Sequence, residues 1–177
     1  AAAAACVCGD GAGGGAAAAA AAGRAEDDGS VEMSALEKVT EAARLKAEGN
    51  DAFKLHLWDA AATLYSRAIE LTPTNHVLYS NRSAARAHMG GTAALQLALA
   101  DAQQCVTLHP RWAKGHARKG AALHALGRFD AAIAAYKEGL EVDDESEVLA
   151  AGLRAVEEAA EKARRAREAR EAAAAAA

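Results

Sequence analysis

A set of small and aromatic residues repeats along the chain with constant spacing. The recurring pairs, 71 residues apart, are Gly49/Gly120, Ala61/Ala132, Tyr65/Tyr136 and Ala68/Gly139. Residues 68–73 read again as residues 105–110, so a third copy lies between the other two, with spacings of 37 and then 34 residues. A period of about 34 with this order of small, aromatic and proline positions is typical of stacked helix–turn–helix units. Such arrays present a concave surface that holds a partner's peptide.

The period and its signature resemble those of tetratricopeptide repeats. The predicted fold is therefore all-α: three helix–turn–helix repeats in a right-handed superhelix, followed by a C-terminal capping helix, because a terminal repeat needs a cover for its outer face. The predicted organisation is an Ala/Gly-rich disordered segment at 1–33, a repeat domain at 34–157 and a charged, Ala-rich helical or frayed tail at 158–177. Within the domain the expected segments are repeats at about 42–75, 76–112 and 113–146, and the capping helix at 146–157.

Local signals predict the helix boundaries. Ser34 and Glu37 have the spacing of a capping box, so the first helix should begin near residue 35 and run to about residue 55. Its expected inner stripe is Leu36, Val39, Ala43 and Ala47. Asp59, Asn75 and Asp130 are the predicted caps of the second, third and sixth helices. In the capping helix, Leu149, Leu153 and Val156 fall on one face.

Charge is distributed unevenly. The net charge of −4 argues against nucleic acid as a partner. Between residues 71 and 129, however, seven basic residues face one acid, Asp101. This local positive field predicts an anionic ligand. Arg82 and Arg86 belong to the basic set, but we expect them to have structural or surface roles.

Several function classes lack their sequence signals. Cys6, Cys8 and Cys105 form no disulfide framework, which fits a reducing, cytoplasmic compartment. No apolar run is long enough to span a membrane, and residues 1–22 do not have the pattern of a signal peptide. No phosphate loop, metal-ligand cluster or nucleophile–base arrangement is recognisable. We therefore expect no enzyme activity, no cofactor and no metal.

Five polar residues recur on the helices that should line the concave face. They are Lys46 and Asn50 in the first repeat, Asn81 in the second, and Lys114 and Arg118 in the third. Lys46/Asn50 and Lys114/Arg118 have i,i+4 spacing, so each pair shares one helix face. Cations and amide donors that converge across three helices form a receptor for carboxylates, and Arg118 can bind in a bidentate manner.

The order Lys-x-x-x-Asn, Asn, Lys-x-x-x-Arg resembles the two-carboxylate clamp of co-chaperone tetratricopeptide domains. Residues 75–85, 112–115 and 136–140 are most similar to the N-terminal repeat domain of the Hsp-organising (stress-inducible) co-chaperones. The resemblance implies a ligand, the C-terminal Glu-Glu-Val-Asp tail of seventy- and/or ninety-kilodalton heat-shock chaperones. It also implies that Phe53, Ala84 and Ala87 line the apolar part of the groove. His88, His116 and His124 are further candidate contacts.

The sequence thus predicts a monomeric cytoplasmic co-chaperone adaptor that binds neither nucleic acid nor membrane. Two alternatives stay open. The same clamp could recruit a chaperone to a larger enzyme, such as a peptidyl-prolyl isomerase, a phosphatase or a ubiquitin ligase. Alternatively, the array is a general protein-interaction scaffold whose groove takes no carboxylate tail.

Overall fold

The computed structural model describes residues 33–176, and these residues form seven helices and no strand. The helices are α1 (Ala35–Lys54), α2 (Trp58–Leu71), α3 (His76–Met89), α4 (Thr92–Leu108), α5 (Ala113–Ala125), α6 (Phe129–Leu140) and α7 (Glu147–Ala175). The predicted all-α class is confirmed. The segment predicted to be disordered, with Cys6 and Cys8, lies outside the described residues except for Met33.

Capping and turn residues place the helix ends close to the predicted positions. The Glu37 side chain accepts from the Ser34 amide at 2.8 Å, and the Ser34 hydroxyl accepts from the Glu37 amide at 3.3 Å, which completes the capping box. Asn75 caps α3 by accepting from the Val77 amide at 3.1 Å. Gly127, with φ +71°, follows the end of α5 in a conformation that suits glycine. These local signals therefore determine the connections between helices.

The prediction that Asp59 and Asp130 cap their helices is wrong. The N-cap residues are Leu57 and Arg128, and neither makes a side-chain capping bond. Both aspartates lie one position inside the helix, in the first turn. There a carboxylate still interacts favourably with the positive end of the helix dipole.

The helices form two layers. Each helix packs against its neighbour in the chain, and α1, α3, α5 and α7 also contact one another in sequence. Within residues 33–176 no such contacts join α2, α4 and α6. The odd-numbered helices are therefore closer together than the even-numbered ones, so the array curves with α1, α3 and α5 on its inner side. This places the predicted polar residues on the concave face.

The predicted inner stripe of α1 is wrong. The residues buried on this helix are Ala42, Leu45 and Gly49, whereas Leu36 is 76% exposed and Val39 is 57% exposed. The helix has 20 residues but its antiparallel partner α2 has 14, and the two are joined at the end of α1. The first turns of α1 consequently extend beyond the helix that would cover them.

Two tyrosines pack against glycines of the facing helix. A Cβ atom on Gly49 would lie 2.7 Å from the Tyr65 ring, and one on Gly120 would lie 2.8 Å from the Tyr136 ring. Glycine at these positions lets the ring approach the helix backbone, which is why the two residue types recur together. The capping stripe of α7 is confirmed: Leu149 and Val156 are buried, and Leu153 packs on the same core.

Candidate peptide-binding site

A cavity of about 300 Å³ opens between the first helices of the three repeats. Its lining residues are Asn50, Phe53, Lys54, Tyr65, Asn81, Lys114 and Arg118. Four of the five predicted polar residues thus surround one space, although they are up to 68 residues apart in the chain. The fifth, Lys46, is half-buried one turn before Asn50 on α1 and does not line this cavity.

Hydrogen bonds fix the amide side chains. Asn50 Oδ1 accepts from the Tyr65 hydroxyl at 2.8 Å and from Asn81 Nδ2 at 3.2 Å. Because the carbonyl oxygen of Asn50 already has two donors, its Nδ2 group is the part left for a ligand. Burial raises the pKa of Tyr65, so its phenol stays protonated and keeps donating to Asn50. The arrangement therefore offers hydrogen-bond donors.

The cavity carries unbalanced positive charge. No carboxylate lines it, and among the ion pairs of residues 33–176 none includes Lys114 or Arg118. Arg118 Nε is buried and has no hydrogen-bond partner in the described part of the chain. The Arg118 side chain is half-buried, and this burial lowers the pKa of its guanidinium. A buried cation without a partner favours the binding of an anion.

A larger open groove is lined by both acidic and basic residues. It has a volume of about 780 Å³ and lies between α6 and the outer half of α7. Two of its arginines are already paired, Arg164 with Glu161 at 2.6 Å and Arg167 with Glu171 at 3.2 Å. The groove contains none of the predicted site residues. The smaller cavity is therefore the better candidate for an anionic ligand.

The predicted apolar residues lie on both sides of Arg118. Phe53 lines the 300 Å³ cavity, whereas Ala84 and Ala87 line an adjoining pocket of about 230 Å³ that also includes His88 and Arg118. The His88 ring stacks on Trp58 with 4.4 Å between ring centroids, and the Phe53 ring meets it edge-on. Aromatic contacts thus hold His88 at the wall of the groove.

The other candidate histidines are engaged elsewhere. His116 is buried, and its Nε2 atom lies 2.8 Å from the Pro110 carbonyl oxygen. His124 packs edge-on against Phe129 on the other side of the α5–α6 turn. Neither residue lines the two pockets described above.

The sequence interpretation did not include Tyr65 among the candidate site residues. Tyr65 is buried, yet its hydroxyl donates to Asn50 Oδ1 and the residue lines the cavity. The available signal was the residue type, since a buried tyrosine, unlike phenylalanine, needs a partner for its hydroxyl group. By contrast, the structural role expected of Arg82 and Arg86 agrees with the structure: both pair with Asp101, at 2.7 and 2.6 Å.

Within residues 33–176 no three His, Cys, Asp or Glu side chains are grouped as a metal site. In that same part of the chain, no helix combines the length and hydrophobicity needed to cross a bilayer.

Comparisons with known proteins agree with the fold. The family model of the tetratricopeptide repeat matches residues 113–146. The chain is 49% identical over 118 residues to the heat shock protein sti1 homolog of Schizosaccharomyces pombe, which is 67% of this chain and 20% of that protein. It is 50% identical over 115 residues to the Hsp70-Hsp90 organizing protein of Triticum aestivum, 65% of this chain and 19% of that protein. The chain therefore spans about one fifth of the length of these relatives.

Solved structures give the same result. The first tetratricopeptide domain of Spaghetti (RPAP3), bound to the HSP90 peptide SRMEEVD, is 29% identical with a TM-score of 0.64. That match covers 68% of this chain and 94% of the other. The Sgt2 tetratricopeptide domain from Aspergillus fumigatus is 29% identical with a TM-score of 0.66, covering 71% and 82% of the two chains.

Proposed function

Because this chain belongs to the tetratricopeptide repeat family, we propose that it is a co-chaperone adaptor that binds the C-terminal Glu-Glu-Val-Asp tail of heat-shock chaperones. The observation that carries this proposal is the cavity where Lys114 and Arg118, which form no ion pair within residues 33–176, meet the oriented amides of Asn50 and Asn81. A peptide that ends in aspartate places two carboxylates side by side. This ligand supplies the negative charge that the cavity lacks.

The relatives support this choice. Two of them are named as a heat shock protein and as an Hsp70-Hsp90 organizing protein, and one similar domain was solved with an HSP90 peptide ending in EEVD. The chain matches about a fifth of the length of these relatives, so the proposal concerns this domain and not the activities of their other regions. We accordingly propose seventy- and/or ninety-kilodalton chaperones as partners of this domain, with a cytoplasmic location, a monomeric state and no catalytic activity.

The binding mechanism follows from the donors. Asn50 Nδ2, Asn81, Lys114 and Lys46 grip the terminal carboxylate and the side chain of the last aspartate, and Arg118 supports them from the neighbouring turn of α5. Lys46 reaches the ligand from the turn before Asn50. Each hydrogen bond to a charged group contributes about 1.5–3 kcal/mol. Three or four such bonds, less the cost of ordering the tail, give a dissociation constant on the order of micromolar.

The test is calorimetry with a tail peptide and variants of α5. We expect Lys114→Ala and Arg118→Ala each to weaken binding at least about tenfold, since each removes charge-assisted bonds. Lys119→Ala is the matched control, because this cation on the same helix pairs with Glu138 at 2.8 Å and does not line the cavity. It should change the affinity less than about threefold.

Modified peptides separate the clamp from the alternatives. A peptide without the last aspartate, or with an amidated C-terminus, should bind at least about tenfold more weakly. If these peptides bind as tightly as the unmodified tail, the array is a general scaffold. If Lys114→Ala and Arg118→Ala both leave the affinity for the tail unchanged, the clamp is disproved. Peptides from both chaperone classes, measured side by side, identify the preferred partner.

A further inference from the structure

A second cavity, of about 590 Å³, lies between α5 and α7. Its lining differs from that of the 300 Å³ cavity except for two residues, Lys114 and Arg118, which line both cavities. These two side chains therefore form a cationic ridge between the cavity of about 300 Å³, which we call the tail-binding cavity, and this one, which we call the α5–α7 cavity. Its volume is within the range of ligand pockets.

The walls of the α5–α7 cavity are mostly apolar. Trp112 and Ala117 contribute from the α5 side, and Val148 and Leu149 contribute from α7. Val148 is 72% exposed although it is a large hydrophobic residue at the cavity wall. An exposed valine beside a half-buried tryptophan leaves apolar surface that a ligand would cover.

Charge across the cavity is asymmetric. The ridge on α5 is positive, and neither Lys114 nor Arg118 takes part in an ion pair of residues 33–176. On the other side, Asp143 lines the cavity from the α6–α7 connection; Asp144 and Glu145 follow in this connection, and Glu147 begins α7. An anionic group is therefore attracted to α5 and repelled from the α7 entrance. An apolar body suits the space between them.

We propose that the α5–α7 cavity binds an amphipathic monoanion, a carboxylate or sulfonate attached to an aromatic or branched aliphatic body. The anionic group lies against Lys114 and Arg118, and the apolar body covers Trp112, Val148 and Leu149. A pocket that is mainly apolar with a few converging polar groups is the usual form of a small-molecule site.

A regulatory consequence rests on the proposed function. Because the same two cations line both cavities, such an anion competes with the chaperone tail for Lys114 and Arg118. Thermodynamic linkage then requires that each ligand weakens the binding of the other. The small anion would thus act as an inhibitor of tail binding without entering the tail-binding cavity.

The probe for the test is 8-anilinonaphthalene-1-sulfonate, whose fluorescence rises on transfer to an apolar site. Its neutral counterpart, N-phenyl-1-naphthylamine, has the same aromatic body without the sulfonate. We expect one sulfonate probe per folded chain, with an affinity at least about tenfold above that of the neutral dye. Equal affinity of the two dyes would overturn the proposal, because the site would then be apolar without anion selectivity.

Two variant pairs locate the probe. Asp143→Asn removes the repelling charge and should strengthen sulfonate binding about two- to fivefold, whereas the matched change Asp144→Asn, outside the cavity lining, should not. Val148→Asp should weaken binding about tenfold, while Leu97→Asp at an exposed position of α4 should have no effect. Probe binding that ignores both Asp143→Asn and Val148→Asp would place the site elsewhere and overturn the proposal.

Failure of this proposal is distinguishable from failure of the tail-binding function. Asp143 and Val148 do not line the tail-binding cavity, so their variants should bind the tail peptide with unchanged affinity. Competition between the sulfonate probe and the tail peptide, measured in both directions, supports the shared ridge. Independent binding of both ligands would contradict it while leaving the tail-binding function intact.

Discussion

The α3–α4 interface and the concave cavity differ in whether their arginines have an acidic partner. Between α3 and α4, Asp101 is 4% exposed and receives Arg82 at 2.7 Å and Arg86 at 2.6 Å. Arg82 also donates to the Ser66 hydroxyl at 2.9 Å, so each of its three guanidinium nitrogens donates a hydrogen bond. On α5, Arg118 is partly desolvated, and its buried Nε has no hydrogen-bond partner among the residues that the structure describes.

This difference separates charge that is already paired from charge that is available to a ligand. All three arginines belong to the same basic stretch of the sequence. Two of them share one acid, Asp101, which joins α3 to α4, whereas Arg118 has no ion-pair partner among residues 33–176. A partly buried cation without a counter-charge costs stability, and a fold that retains it has a site ready for an anion. The predictions below change one side of this comparison at a time.

The largest effect is expected at the paired site. Asp101→Asn keeps the shape of the side chain but leaves Arg82 and Arg86 without a counter-charge, so the free energy of unfolding should fall by about 3–5 kcal/mol. Urea denaturation followed by circular dichroism measures it. The matched control is Asp51→Asn, whose partner Lys54 is 74% exposed, and it should cost less than about 1 kcal/mol. A similar small cost for both variants would mean that the α3–α4 network is only a surface feature.

Alkaline pH tests the surroundings of Arg118. Burial raises the pKa of the Cys105 thiol to about 11, from 9.0, although the nearby Arg118 lowers it in part. Because the folded pKa is the higher one, stability is fully present below pH 9 and is lost as the pH rises from about 9 to about 11. The loss amounts to roughly 2–3 kcal/mol, and it should disappear in Cys105→Ala. Parallel stability curves for the two proteins over this range would contradict the assignment.

Tyr65→Phe tests what orients the side-chain amide of Asn50. The variant keeps the ring that packs on Gly49 but removes the bond to Asn50 Oδ1, so Asn50 can rotate away from its donor position. We expect tail affinity to fall about five- to tenfold, which is the effect of one lost hydrogen bond of about 1 kcal/mol. Tyr136→Phe, with a hydroxyl outside the tail-binding cavity, is the control for loss of a buried tyrosine hydroxyl. If both variants bind the tail equally well, Tyr65 is a core residue and nothing more.

The smallest effect, with the opposite sign, is expected for Arg118→Met. Replacing the unpaired guanidinium with an apolar side chain should raise the free energy of unfolding by about 0.5–1 kcal/mol, while tail binding is lost. Thermal unfolding and calorimetry on the same sample measure the two quantities. Arg82→Met, made in parallel, should destabilise the protein because it disrupts the Asp101 network. A destabilised Arg118→Met would show that this arginine has a structural role as well.

The repeats also differ in a way that one helix alone cannot reveal. In the first and third repeats a glycine on the first helix faces a tyrosine on the second. At the corresponding positions of the middle repeat, Ser83 lies 34 residues after Gly49, and Ala102 lies 37 residues after Tyr65. The Ser83 hydroxyl donates to the Ala98 carbonyl at 2.8 Å, so a polar contact replaces the tyrosine packing there. The two apolar core clusters lie on either side of this polar interface.

Much of the fold could be read from short-range signals. The capping box at Ser34, the cap at Asn75 and the residues before Pro73 and Pro110 determine where helices begin and end, because these effects act within one turn. The stripe on α1 was mispredicted since the 3.6-residue period defines faces but does not say which face another helix covers. The caps were misplaced at Asp59 and Asp130 because a carboxylate is favourable both at the cap and inside the first turn.

The sequence by itself determined the repeat, its register and hence the shared helix faces of Lys46/Asn50 and Lys114/Arg118. These follow from periodicity, which depends on the chain alone. Only the tertiary structure decided that Asp101 pairs with both Arg82 and Arg86, that Tyr65 bonds to Asn50, and that Arg118 has no ion-pair partner within residues 33–176. Those outcomes depend on contacts between residues 15 or more positions apart, where the energy of a charge is set by what the fold places beside it.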